Sequence, residues 1–233
     1  MGNRSFFRRS IPVFIIFFLF ALPLSAQGFF SKVSWLVQGS VLFFPEDNGK
    51  ASDPMPILPS FGAGASYQAI DSKVAGLALE LTLDFYMTHY GYDKTLDRAV
   101  PNSIENRTAR VLGSFFAFQA AGTFNTGSLL RIRAFAGLAA DLRIVFMAAG
   151  LSEGHDDLDE IKNEVNLVRR YFWSGGRWFA PVTGIGTDFT LNERFRLGID
   201  FRVWMPIYRL WTGENLPPIE GWRFGVGFRL TIH

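Results

Sequence analysis

The feature that most constrains the fold is a strict two-residue alternation that recurs along the chain. In stretch 76–87, GLALELTLDFYM, Leu77, Leu79, Leu81, Leu83 and Phe85 alternate with Ala78, Glu80, Thr82, Asp84 and Tyr86. A strand turns successive side chains to opposite faces, so this is a strand with one aliphatic face and one face that carries carboxylates. The same alternation recurs at 34–43, 61–68, 130–139, 195–204 and 222–232. Stretch 110–122 is apolar on both sides, which leaves its phase open, with Leu112, Phe116 and Phe118 on one face and Phe115 on the other. Stretch 179–189 is weaker, broken by Pro181, Gly184 and Gly186. The reading is eight strands, each near the roughly 9–11 residues that a tilted strand needs to cross a bilayer, or somewhat longer.

The connections are sorted by length. Segments 70–74, 124–128 and 191–194 are short and carry Asp, Asn and Gly as turns do. They alternate with longer segments at about 45–59, 91–107, 148–176 and 210–220. With both chain ends in the periplasm, every short turn falls there and every long loop falls outside. The second face of the strands carries Glu80, Asp84, Arg131, Arg133, Asp141, Arg143, Asp188, Arg196, Asp200, Arg202, Arg223 and Arg229. These are too many charges for one soluble core. They suit a polar network inside a barrel, where carboxylates and guanidiniums pair while the aliphatic face meets acyl chains. The fold class expected is therefore all-β: an eight-stranded antiparallel transmembrane β-barrel. Aromatic residues, 16% of the chain, fall near strand ends as interfacial girdles would.

The N-terminus reads as a secretory signal. Arg4, Arg8 and Arg9 precede the apolar run 11–24, and small Ser25 and Ala26 follow. The expected division is a signal peptide at 1–26 and an outer-membrane barrel at 27–233. Cleavage leaves 20 basic against 21 acidic side chains. No basic cluster remains that would point to nucleic acid. The chain has no cysteine, which excludes a disulfide framework, a cysteine zinc site and a lipoprotein anchor.

Segment 148–176 differs from the other loops. Leu158, Ile161, Val165 and Val168 stand at helical spacing, with acids early and Arg169 and Arg170 late. This predicts a short amphipathic helix in the third outer loop, either a lid or surface-contact element or an extension that packs on its own barrel. Asp156, Asp157, Asp159 and Glu160 there read as a solvated charge run, lacking the spacing of a calcium hand. The glycines of GAGASY and FGVGF have no helix after them and read as inward positions that make room for bulky neighbours. No cofactor is expected.

On strand count, loop asymmetry and the two-faced pattern, the chain resembles the small bacterial outer-membrane β-barrels of the OmpA transmembrane domain, OmpX and OmpW types. The resemblance covers nearly all of 27–233 and is architectural. It implies residence in the bacterial outer membrane, contact with outer-membrane lipids and lipopolysaccharide, and insertion by the barrel-assembly machinery. Members usually end on an aromatic residue; here Phe228, Leu230 and Ile232 alternate but the chain closes on Ile232 and His233, which implies a variant assembly signal. Lipid A deacylases of similar fold carry a His-x-Ser pair on a strand, whereas His89 is followed by Tyr90 and Gly91. His155 and Ser152 share a loop, and His233 is terminal. These histidines read as surface or rim residues, so the expectation is a protein that is not an enzyme. It would serve a structural or surface-interaction role through its extracellular loops, with a possible extracellular ligand. The alternative is passage of small hydrophobic molecules, for which the strand at 110–122 would line a funnel; a lipid-modifying outer-membrane enzyme comes third, behind both.

Overall fold

The structure, a computed structural model, describes residues 32–46, 57–101, 109–127, 129–148, 158–213 and 219–233. The signal segment 1–26, and with it Ser152, His155, Asp156 and Asp157, lie outside the described residues.

Eight long strands form the wall: β1 (Val33–Phe43), β2 (Ile57–Asp71), β3 (Ala75–Asp93), β5 (Ala109–Asn125), β6 (Leu130–Met147), β7 (Phe179–Thr190), β8 (Phe195–Trp204) and β9 (Arg223–Ile232). Each pairs with its neighbours in sequence, and β9 pairs back onto β1, with Trp35 opposite Ile232 and Phe43 opposite Phe224. The result is a closed antiparallel barrel with no free edge around its waist. A short strand β4 (Arg98–Pro101) pairs with the far end of β3. Tyr90 faces both Pro101 of β4 and Ala109 of β5, so β4 continues the β2 edge of β3. The three short connections close one end, here the turn end. The other is the loop end.

Alternation decides which face goes where. Leu81 is 43% exposed, whereas its chain neighbours Glu80 and Thr82 are each 3% exposed. The same inversion holds around the wall: Phe61, Phe118, Leu138, Ile185, Ile199 and Phe228 lie on the exposed exterior, and Gln38, Gln119, Arg133, Asp188, Asp200 and Arg229 are buried within. A water-soluble barrel has the opposite sidedness, so the exterior is built for lipid. The structure also settles the phase of the strand left open by its sequence. Val111, Phe115, Ala117, Gln119 and Ala121 point inward, and Phe116 and Phe118 point to lipid.

The wall is uneven. β3, β5 and β6 run 19, 17 and 18 residues, while β7, β8, β9 and β1 run 12, 10, 10 and 11. The β6–β7 ladder ends at Ala140–Phe179, so β6 continues to Met147 with one edge unmatched by β7. Helix α1 (Leu158–Trp173) and the turn after it occupy that edge. The Asp141 amide donates to the Trp178 carbonyl at 2.6 Å. The Arg143 carbonyl accepts from Trp173 Nε1 at 3.2 Å, and the Val145 carbonyl accepts from Arg169 Nη2 at 3.3 Å. Backbone groups near lipid need such partners, because hydrocarbon supplies none. A second short helix, α2 (Arg209–Thr212), lies in the β8–β9 connection.

A lipid-facing wall predicts a depth-dependent cost for charge. Leu81→Arg, six residues up β3 from its turn, should lower unfolding free energy in phospholipid vesicles by about 2–4 kcal/mol. In a soluble barrel a surface change of this kind stays within about 0.5 kcal/mol. Denaturant titration followed by tryptophan fluorescence, with the gel shift between heated and unheated samples, decides between them.

Candidate functional site

The barrel interior and its loop end hold the chain's chemistry, arranged in layers. The layer nearer the turn end is ionic. Arg133 on β6 donates to Glu80 on β3 at 2.6 Å and to Asp200 on β8 at 2.8 Å. Arg229 on β9 reaches Asp188 on β7 at 2.6 Å and Glu80 at 3.2 Å. Arg202 on β8 contacts Asp84 and Asp200, each at 3.2 Å. Two amides complete the layer. Gln38 donates to both Asp84 oxygens at 2.6 and 2.7 Å and accepts from Arg202, and Gln119 donates to Glu80 at 2.7 Å. Among the described residues three guanidiniums thus meet four carboxylates, all nearly shut off from solvent.

An aromatic layer sits above it. Phe115 stacks between Tyr86 and Trp204, with centroids 5.2 and 4.6 Å away, and Phe44 meets Tyr86 edge-on at 5.2 Å. Gly113 permits this arrangement. A Cβ there would lie 2.0 Å from Tyr86 Cζ, so the phenol ring rests against bare backbone of β5. Leu42, Phe135 and Val182 fill the rest.

A second ionic layer follows toward the loop end. Asp141 accepts from the Tyr86 hydroxyl at 2.6 Å and from Arg143 Nε at 2.9 Å, and Arg223 Nε lies 3.5 Å away. Arg223 also reaches Glu46 at 3.4 Å, and Glu46 accepts from the Tyr90 hydroxyl at 2.5 Å. The Arg143 guanidinium lies 4.2 Å over the Phe172 ring, which belongs to α1. This contact joins the interior to its cap.

The cap is α1. Its buried stripe, Val165, Val168 and Phe172, packs on the inward-facing Tyr90, Val111 and Val145 of the tall wall. The predicted helix is therefore present, and it packs on its own barrel; Leu158, at its first position, is exposed. Asp159 and Glu160, in its first turn, pair with Lys162 and Lys94. The Tyr92 amide donates to Glu164 at 2.9 Å, and a buried pair between Arg98 of β4 and Glu220 ties the second loop to the fourth. Beneath the cap is a cavity of about 20 Å³ lined by Glu46, Arg143, Tyr171, Arg177, Tyr208 and Glu220 among others. That is room for a single water. Burial pushes the Tyr171 phenol up to about 12, so it stays neutral.

The structure places ten of the twelve residues read from the alternation within these two layers: Glu80, Asp84, Arg133, Asp188, Asp200, Arg202 and Arg229 in one, and Asp141, Arg143 and Arg223 in the other. Arg131 and Arg196 are half-buried at the turn-end mouth, below the network. Gln38, Gln119, Tyr86 and Glu46 were not anticipated. The first three share the inward phase of their strands, which is the signal that finds them; Glu46 lies past the end of β1 and has no periodicity to mark it. Stretch 110–122, the candidate lining of a funnel, is divided between two surroundings. Phe116 and Phe118 face lipid and Phe115 is stacked in the aromatic layer. His233 Nδ1 lies 2.7 Å from Ser34 Oγ, and His89 is on the outward face of β3.

Closed, eight-stranded, apolar outside and charged within, the chain has the architecture of the small outer-membrane β-barrels. No protein-family model matches it, and no curated protein does. Solved structures of similar fold include Neisserial surface protein A, at 11% identity and a TM-score of 0.48 over 86% of this chain and 96% of that one. OprG of Pseudomonas aeruginosa matches at 10% identity and 0.44, over 86% and 96%. Ail, the attachment invasion locus protein of Yersinia pestis, matches at 9% and 0.41, over 85% and 94%. At these values the likeness concerns the arrangement of strands alone.

Breaking the interior network should be costly, because it strands charges in a dry site. Arg133→Met leaves four buried carboxylates to Arg202 and Arg229 alone and should cost about 3–5 kcal/mol. Gln119→Leu, which removes one neutral donor from Glu80, should cost about 1–3 kcal/mol. Urea unfolding of both variants in vesicles gives the comparison, and equal small effects would mean that the layer is hydrated.

Proposed function

We propose that this protein resides in a bacterial outer membrane and is not an enzyme, its barrel serving as a rigid platform for surface interaction through the loop end. The observation that carries this reading is the layered interior beneath a packed helical cap. Two ionic layers and an aromatic layer occupy the bore, and Phe172 of α1 closes onto the upper one. A bore so filled favours a role for what is displayed over a role for what flows. The displayed surface is substantial. The exposed face of α1 carries Lys162, Asn166 and Arg170, and Leu210 and Trp211 of α2 stand out from the β8–β9 connection. Loops held by a rigid scaffold are a common seat of binding. Barrel insertion by an assembly machinery and an extracellular ligand belong to the same reading.

Passage of small hydrophobic molecules is a second reading, favoured by one feature. Beyond Ala140 the β6 edge is held by side chains of α1 and the following turn, and a ladder of β7 is not there to seal it. Release of Trp173 and Arg169 would open the wall sideways.

The two readings separate by experiment. Liposomes bearing the protein should take up small apolar solutes no faster than empty ones. A variant with 149–176 replaced by a short turn should keep its heat-dependent gel shift yet lose binding to an array of host glycans and matrix proteins. Solute uptake above blank, abolished by fixing the β6 edge through a cysteine pair introduced at 144 and 173, would favour passage. Binding unchanged by the loop replacement would overturn the platform reading.

A further inference from the structure

The turn end of the bore carries donors that the interior network does not use. Arg131 is the second residue of β6 and Arg196 the second of β8, and both share the inward phase of their strands. Both are half-buried, and among the described residues neither makes a hydrogen bond or an ion pair. β7 runs between them. Thr190, on its inward face, is the register partner of Arg196, and Asp188 is that of Arg131. On the other side of Arg196 the register brings Thr231 of β9. Ser34 of β1 comes next, with its hydroxyl 2.7 Å from His233 Nδ1. Five neighbouring strands thus turn guanidiniums and hydroxyls to one mouth.

Carboxylates do not cancel this charge. Asp188, one level deeper, is held by Arg229 at 2.6 Å. Asp71 is exposed at the end of β2. The strands that carry the two arginines stand about 10 Å apart, a gap that two such side chains span together. Their charges also reach the His233 ring, which lies past the end of β9. Burial first, and then Arg196 and Arg131, hold that imidazole below its ordinary range, against the opposing pull of Asp188 and Asp71. Deeper in the bore the Arg133 layer fills the cross-section, so a ligand enters from the turn side and stops at this level. Two guanidinium forks offer paired N–H donors to the oxygens of a phosphate, and two unpaired positive charges match a dianion.

We propose that Arg131 and Arg196 bind a phosphate-type dianion at the turn-end mouth of the bore, with Thr190 and His233 on its rim. The two arginines face the bore and not the acyl chains, so the anion comes from the water on the turn side, as free phosphate or as the phosphate group of a small solute. A negative charge beside His233 favours the imidazolium, so binding draws a proton from the buffer onto that ring. The site does not depend on what the loop end displays. The outer-membrane reading sets only the compartment that supplies the anion.

The test uses the full mature chain in phosphatidylcholine nanodiscs, titrated with inorganic phosphate in chloride buffer and followed by calorimetry. The wild-type protein should bind phosphate, and the pair Arg131→Gln with Arg196→Gln should bind it at least about tenfold more weakly. Arg196→Lys, which keeps the charge without the fork, should fall between them. A second readout is the His233 imidazole by NMR, its resonance identified with His233→Gln. Sulfate, which stays a dianion across that titration, should raise the wild-type His233 midpoint by about half a pH unit or more. In the double variant the midpoint should already stand higher without anion and should not move. Equal phosphate binding by the wild type and the double variant, phosphate held no better than chloride, or a wild-type His233 midpoint unmoved by sulfate would overturn the site. The gel shift checks folding, and Arg131→Gln alone carries the comparison where the double variant does not fold. Cell fractionation tests the compartment separately. Outer-membrane residence without phosphate binding sinks this inference alone, and absence from that membrane sinks the platform reading and leaves the site standing.

Discussion

The constraint on which the structure depends is that lipid offers no hydrogen bonds. A sheet in hydrocarbon must pair every backbone amide and carbonyl, so its edges have to meet. Here they meet through β1 and β9, from Trp35–Ile232 to Phe43–Phe224. Closure fixes sidedness at once, since successive residues alternate between lipid and bore. The leucines of β3 and the carboxylates between them are then two answers to one geometric demand. The same constraint explains the local exception. Where β7 stops short, β6 is not left bare: Trp173, Arg169 and the Trp178 carbonyl take up its edge groups. The helix is thus part of the wall as well as a cover over it.

Closure of eight strands also fixes how much space lies inside: enough for side chains to fill and little more. An apolar filling would satisfy that volume. The chain uses charge for much of it, which is costly unless each ion is paired and hydrogen-bonded. The layer around Arg133 meets this condition by sharing. Each carboxylate serves one or more guanidiniums, Gln38 donates to the Asp84 oxygen that Arg202 leaves open, and Gln119 shares a Glu80 oxygen with Arg133. Such cross-links join strands far apart in sequence, β3 to β6, β8 and β9, so they hold the barrel's cross-section against shear. The aromatic layer does the complementary work: Phe115 between Tyr86 and Trp204 fills volume without demanding partners.

Much of this was legible in the sequence, because alternation is a local signal with a global consequence. Strand number, sidedness and the inward charges all follow from a period of two. So did the helix, since Ile161, Val165 and Val168 switch the period to that of a helix. Legibility failed where period gave no information. Stretch 110–122 is apolar on both faces, as lipid and the aromatic layer both accept phenylalanine, so only the ladder with β3 and β6 assigns Phe115 inward and Phe116 outward. The extent of β3 and the existence of β4 were hidden for a different reason. Their pairing lies at the loop end, where Tyr92, Arg98 and Ala99 meet α1 and Glu220, and no two-faced pattern is imposed. Glu46, Arg98 and Glu220 act on the site from loops, at positions that spacing cannot mark.

The uneven wall connects these facts to function. A barrel with all strands of one height would present a level rim. Here β3, β5 and β6 rise above the shorter strands and give α1 an apolar inner surface to lie on, formed by Tyr90, Val111 and Val145. The low side, β7 to β9, leaves space in which the second and fourth loops meet through Arg98 and Glu220. The cap therefore draws on three loops and is anchored to the bore by Arg143 under Phe172. A perturbation of α1 would be felt both in the Asp141 layer, through Phe172, and at the β6 edge, through Trp173 and Arg169. The barrel below is held by its own cross-links, from β3 to β6, β8 and β9.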